Sequence, residues 1–178
     1  GLRNPVSLTP GDGNQVMVAE QGEAFHEEVN IVLSGAHYGW PNREGNCLRG
    51  QDAPDACQPD ERFIDPLGTY RHNAFGNAIS GLSSLTSPRY PEAVQGRIIF
   101  VDRATQFVGS LNPADGTMTK LLENTGPLRQ LALHGGYLYT LNGATGTLAL
   151  LYYNWETVTG VGSMQPTAGI SAAPLLGI

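Results

Sequence analysis

Arg3 and Asn4 stand side by side just before a run with strand character. Glu20-Gln21-Gly22-Glu23 closes the next run, and the acidic pair Glu27-Glu28 comes after it. Arginine offers a planar fork of donors that meets a carboxylate bidentately, and asparagine supplies both a donor and an acceptor. Gly22 permits a backbone path on which consecutive carbonyls point inward, and hard cations such as calcium accept carbonyl oxygens. A set of this kind could orient a flat anion beside a cation. Taken singly, an Arg-Asn pair is also what a surface turn looks like, and Glu27-Glu28 also reads as a solvated edge.

The elements that must position these residues are short strands. With 23 Gly and 12 Pro in 178 residues, turns come about every ten residues. Strands are predicted over 14–20, 28–33, 79–85, 96–101, 107–111, 118–122, 128–134, 137–141 and 147–153, with Gly135-Gly136 turning a hairpin. No window carries a sustained apolar stripe of helical period. The unit of strand, Asp-Gly or Gly-Gly turn, strand recurs over about forty to fifty residues, the period of propeller blades. The expectation is an all-β chain of about three antiparallel blades, which do not close a ring, over residues 1–156. From Thr157 the composition shifts to Gly, Ala, Ser, Thr and Pro, so 157–178 reads as an extended tail or linker.

Charge excludes one class of partner. The formal net charge is -6 and the ten basic residues are scattered, whereas nucleic acid binding needs clustered Lys and Arg. The apolar content of 40% is broken by Gly and Pro, so no membrane span is expected. A small neutral ligand or a metal ion suits this surface better. Cys47 and Cys57 are the two cysteines, with a polar, Pro-containing loop between them. They read as a disulfide, the alternative being two unrelated thiols. A bridge implies an oxidising compartment, hence a secreted, periplasmic or lumenal protein. The chain begins inside a patterned segment, which suggests a processed or truncated product.

The Gly1-Leu2-Arg3-Asn4-Pro5 step, Glu20-Gln21-Gly22, Glu27-Glu28-Val29-Asn30 and Gly35-Ala36-His37-Tyr38-Gly39-Trp40-Pro41 together resemble the soluble glucose and sorbosone dehydrogenase family. Shorter matches, among them Tyr70-Arg71-His72, Ile79-Ser80-Gly81 and 96–102, look like its hedgehog-interacting-protein-like branch. The resemblance implies a six-bladed propeller that binds pyrroloquinoline quinone and calcium on its axis and oxidises an aldose or related sugar. It puts Arg3 and Asn4 at the quinone and on the substrate-facing side, with Arg3 the catalytic residue that stabilises negative charge developing on the quinone oxygen. It makes the carbonyls of Gly22 and Glu23 the calcium ligands and Arg129 a partner of the quinone carboxylates. The implied partner is the remaining half of the propeller or another subunit, where the family's catalytic histidine lies. His72 is a candidate substrate contact, His26 could touch the calcium region, and His37 and Trp40 read as structural.

Three positions depart from the family pattern. Arg103-Ala104 stand where a lysine is expected, Pro127 replaces a second late arginine, and Glu23 replaces a proline. These departures predict a weakened hold on the cofactor and leave open a second reading, a non-catalytic secreted propeller that serves as a binding or assembly module.

Overall fold

The computed structural model describes residues 1–11, 13–153 and 170–174. Among them the fold is all-β, apart from single 3₁₀ turns at Pro54–Ala56 and Glu92–Val94. The first sheet is built from β1 (Pro5–Pro10), β2 (Val16–Glu20), β3 (His26–Ile31) and, after a small hairpin of β4 (Arg43–Glu44) and β5 (Cys47–Leu48), β6 (Gly68–Arg71). The second holds β7 (Ile79–Ser84), β8 (Ile98–Asp102), β9 (Phe107–Leu111) and β10 (Met118–Glu123) in spatial order. The third holds β11 (Leu128–His134), β12 (Tyr137–Asn142), β13 (Leu148–Tyr153) and β14 (Ile170–Pro174). All neighbouring strands within each sheet are antiparallel, as in propeller blades.

The segment expected as an extended tail is partly within the described residues, and there the structure differs from the expectation. Ile170–Pro174 pairs with β13 from Ala149↔Pro174 to Tyr153↔Ile170, completing the third sheet. The rest of 157–178 lies outside the described residues. The strand β6, absent from the sequence expectation, adds to β3 through His26↔Arg71 to Val29↔Gly68.

The first strand of each sheet lies inside, against its neighbours. Leu82 N donates to Ser7 Oγ at 3.2 Å and Ser84 N to Thr9 Oγ1 at 3.4 Å, so β1 and β7 run in the same direction. Ser80 Oγ donates to the Leu128 carbonyl at 2.8 Å, and a Cβ on Gly81 would fall 2.9 Å from Gln130 Cα, so β7 and β11 also run together. The starts of β1, β7 and β11 therefore gather at one end of the molecule. Everything that precedes an inner strand, or comes after its antiparallel neighbour, is brought to that end.

Two cores hold the sheets apart at packing distance. One joins the first and second sheets through Met17, Ala19, Val29, Tyr70, Leu82, Ile98, Phe100 and Phe107. The other joins the second and third through Leu85, Ile99, Val101, Val108, Leu131, Leu138 and Leu151. Strand β8 contributes Ile98 and Phe100 to one and Ile99 and Val101 to the other, which is why its sequence is an unbroken apolar run. Phe100 stacks on Tyr70 at 5.6 Å and meets Phe107 edge-on at 5.8 Å. Gly109 makes room for that ring: a Cβ there would lie 2.4 Å from Phe100 Cζ. Phe100→Ala is expected to destabilise the fold by about 3–5 kcal/mol, read from urea unfolding. Gly109→Ala should destabilise by overpacking at the same ring, about 1–3 kcal/mol.

Candidate functional site

Arg3 and Asn4 precede β1, Gln21 to Glu23 come after β2, His72 after β6, and Arg129 is the second residue of β11. All therefore sit at the shared end of the inner strands. The side chains join in a chain of contacts there. Asn4 Nδ2 donates to Gln21 Oε1 at 3.2 Å, and Gln21 Nε2 donates to the Ile79 carbonyl at 2.6 Å. The Ile79 amide donates to Glu27 Oε2 at 3.1 Å, and Glu27 Oε1 lies 2.6 Å from His72 Nε2. The first residue of β7 is thus clamped on both its backbone groups by the first sheet.

The loop between β2 and β3 is shaped by one carboxylate. Glu44 Oε1 accepts the amides of Glu23 (2.8 Å), Ala24 (2.9 Å), Phe25 (2.7 Å) and His26 (2.9 Å). Burial would raise the Glu44 pKa, but these four hydrogen bonds outweigh it and hold the carboxyl below its usual range. The chain must pass so close that a Cβ on Gly22 would fall 1.8 Å from the His26 carbonyl oxygen and 2.5 Å from Glu44 Oε1, so only glycine fits.

With its amides turned to Glu44, the loop presents carbonyls to Arg3. The Arg3 Nη1 group donates to Gly22 O at 2.7 Å and to Gln21 O at 3.2 Å. The Trp40 ring lies under two guanidinium groups, Arg3 at 5.4 Å and Arg49 at 4.5 Å from its centroid. Arg49 also forks onto Glu23 at 2.7 and 2.8 Å and holds that carboxyl below its usual range.

Behind the loop lie three more buried carboxyls. Glu20 Oε1 accepts the amides of Arg3 and Asn4, fixing the approach to β1. Asn30 Nδ2 bridges Glu20 Oε2 at 3.3 Å and Glu28 Oε2 at 3.1 Å, and Glu28 Oε1 accepts the Gly45 amide at 2.5 Å. Burial, helped by the negative charges of Glu20 and Glu44, pushes Glu28 up to about 7. Burial also pushes Glu27 up to about 7, against the stabilising contacts from His72 and the Ile79 amide.

Asp102 is the opposite case. Its Oδ2 accepts Tyr70 OH, Asn77 N and Ala78 N and its Oδ1 accepts Ala104 N and Thr105 N. Against the upward push of burial, these bonds bring its pKa down.

Of the residues expected from sequence, Arg3, Asn4, Gly22 and Glu23 are in mutual contact or adjacent. His72 is joined to them only through Glu27, Ile79 and Gln21. Arg129 stands apart on β11, exposed, packed over Gly143, whose Cβ would meet its Nε at 2.1 Å. Among the described residues Arg129 makes no ion pair. The Cys47–Cys57 disulfide is formed. His26 is buried with Nε2 3.9 Å from Cys47 Sγ, and His37 contacts the N-terminal amine and Phe63. Glu44 and Arg49 were not anticipated. They lie in the cysteine excursion, and nothing in their spacing from Gly22 signals that they return to it.

An anionic quinone suits the donor set: two exposed guanidinium groups, Arg3 and Arg129, and two carboxamides at one end of the inner strands. Calcium at this loop would compete with the Arg3 guanidinium, which donates to the Gly22 carbonyl.

Three four-stranded antiparallel sheets around parallel inner strands define part of a β-propeller. A family model for glucose/sorbosone dehydrogenase matches residues 1–149, and the chain belongs to that family. A quinoprotein glucose dehydrogenase B from Acinetobacter calcoaceticus is 38% identical over 45 residues, 25% of this chain and 9% of the relative. Among solved structures, the pyrroloquinoline quinone-bound aldose sugar dehydrogenase from Streptomyces coelicolor aligns with a TM-score of 0.60 at 22% identity, covering 97% of this chain and 42% of that one. The soluble aldose sugar dehydrogenase from Escherichia coli in its apo form aligns with a TM-score of 0.62 at 21% identity, covering 79% and 42%. The chain thus spans about two-fifths of the length of these solved structures.

The buried carboxyls predict a pH dependence. Groups whose pKa is raised in the folded state add stability below their ordinary pKa and lose it as pH rises through the folded value. For Glu27 and Glu28 that window runs from 4.5 to about 7. Unfolding free energy, measured by urea titration, is expected to fall across this window and to level off above it. Glu28→Gln, which mimics the protonated carboxyl, should make the decline shallower.

Proposed function

We propose that this chain supplies one side of the cofactor site of a propeller that oxidises an aldose or related sugar with pyrroloquinoline quinone. The observation that carries the reading is the Arg3, Asn4 and Gln21 contact at the entrance of the inner strands, with Arg129 exposed at the same end on β11 and both arginines free of carboxylate side-chain partners among the described residues. When bound, the quinone supplies the two-electron acceptor for the sugar.

The residues of this chain bind and orient. Arg129 presents a fork to a carboxylate of a flat anion, and the Asn4-Gln21 pair offers amide groups to its edge. Arg3, exposed, held by the Gln21 and Gly22 carbonyls and lying over Trp40, offers positive charge where negative charge develops. The proton of the sugar hydroxyl goes to a base outside these three sheets. The Cys47–Cys57 bridge supports an oxidising compartment, secreted, periplasmic or lumenal. Among the described residues no helix is long and apolar enough to cross a membrane.

A second reading, a non-catalytic binding or assembly propeller, is favoured by one contact: Arg3 sits on the carbonyl that a cofactor calcium would need. The two readings part on a single experiment. The full-length protein, supplied with quinone and calcium, is assayed for dye-coupled oxidation of aldoses while the quinone absorbance is followed. Turnover with a cofactor spectrum supports the enzyme; no quinone uptake at micromolar concentration removes it. If the quinone binds, Arg129→Ala is expected to weaken its affinity about tenfold or more, the loss of a charge-assisted contact.

A further inference from the structure

Between β3 and β6 the chain leaves the sheet for an excursion, the middle of which the Cys47–Cys57 disulfide closes into a loop. This excursion returns to the β2–β3 loop twice. Glu44 holds the loop amides from beneath, and Arg49 takes the Glu23 carboxylate at the surface.

Several restraints fix Arg49 where an ordinary exposed side chain would wander. Its backbone amide donates to the Asn42 carbonyl at 2.9 Å, and it stands two residues from the bridged Cys47. Its guanidinium is bidentate on Glu23 and stacked on Trp40 at once. Planar, forked and stacked contacts are what lysine could not reproduce. The Trp40 ring also lies near Arg3, and the Trp40 amide donates to the Gly1 carbonyl at 3.0 Å, two residues from Arg3. One aromatic ring therefore ties the Arg49–Glu23 pair to the arginine at the Gly22 carbonyl.

We propose that Arg49 is a positioning residue for the quinone-facing loop, fixing Glu23 directly and the resting place of Arg3 through Trp40. Its guanidinium is taken up by Glu23 and the Trp40 ring. The disulfide-closed excursion is the frame from which it acts. Its bearing on the quinone rests on the functional reading above; its bearing on the loop does not.

The test compares the full-length protein with Arg49→Ala and Arg49→Lys in two measurements. In the first, amide hydrogen exchange of residues 23–26 is expected to quicken about fivefold in Arg49→Ala, the upper end for losing an exposed but well-formed ion pair, with Arg49→Lys between it and the wild type. In the second, the quinone concentration giving half-maximal absorbance change should rise by a similar factor, while kcat at saturating quinone stays level. Unchanged exchange in Arg49→Ala overturns the proposal, as does a fall in kcat at saturating quinone without any shift in quinone affinity. Should the wild type take up no quinone, the functional reading fails alone, and the exchange comparison still decides whether Arg49 positions the loop.

Discussion

One carboxylate oxygen receiving four consecutive backbone amides is the contact on which the site depends. A buried carboxylate is unfavourable unless its lone pairs are met, and a loop of four amides turned the same way is unfavourable unless an anion meets them. Glu44 Oε1 and the amides of residues 23–26 answer each other, while Glu44 Oε2 is buried without a hydrogen-bond partner among the described residues. The same contact constrains the residues just before the loop. With the amides aimed inward, the neighbouring carbonyls of Gln21 and Gly22 are left to Arg3, and position 22 has no space for a side chain.

The sheets supply the frame for this loop and the loop supplies the polarity of the frame's open end. Parallel inner strands bring Arg3, Ile79 and Arg129 to one end, but parallelism alone would leave their relative heights unset. Gln21 and Glu27 set the height of β7 against the first sheet by gripping the two backbone groups of Ile79 across the sheet boundary. The packing beneath is hydrophobic and dense, with β8 buried on both faces, so the polar contacts at the end work against a rigid base.

Much of the frame was legible in the sequence because strands and turns announce themselves locally. The apolar run 98–101, the Gly135-Gly136 turn and the Asn112-to-Gly116 turn each specify their element with residues next to one another. Strand β6 was hidden: Gly68-Thr69-Tyr70-Arg71 is short, begins with glycine, and owes its place to β3 and to Tyr70 packing on Phe100. Strand β14 was hidden for a similar reason, its small residues Ser171-Ala172-Ala173 carrying little signal of their own and pairing with β13 from a distance. At the site, Gly22 was readable as a backbone necessity, while Glu44 and Arg49 were not. Their roles arise only when the disulfide-closed excursion folds back, a long-range event that spacing does not encode.

The shape of the β2–β3 loop turns on Glu44 being a buried anion held by amides, and the direct measurement is the pKa of its carboxyl group, followed by carbon-detected NMR titration with Glu44→Gln as the assignment control. Against the upward pull of burial, the four amides predict a value below the ordinary 4.5. A Glu44 carboxyl that titrates at or above that value would mean the amides do not hold it, and would contradict the arrangement of the loop proposed to face the cofactor.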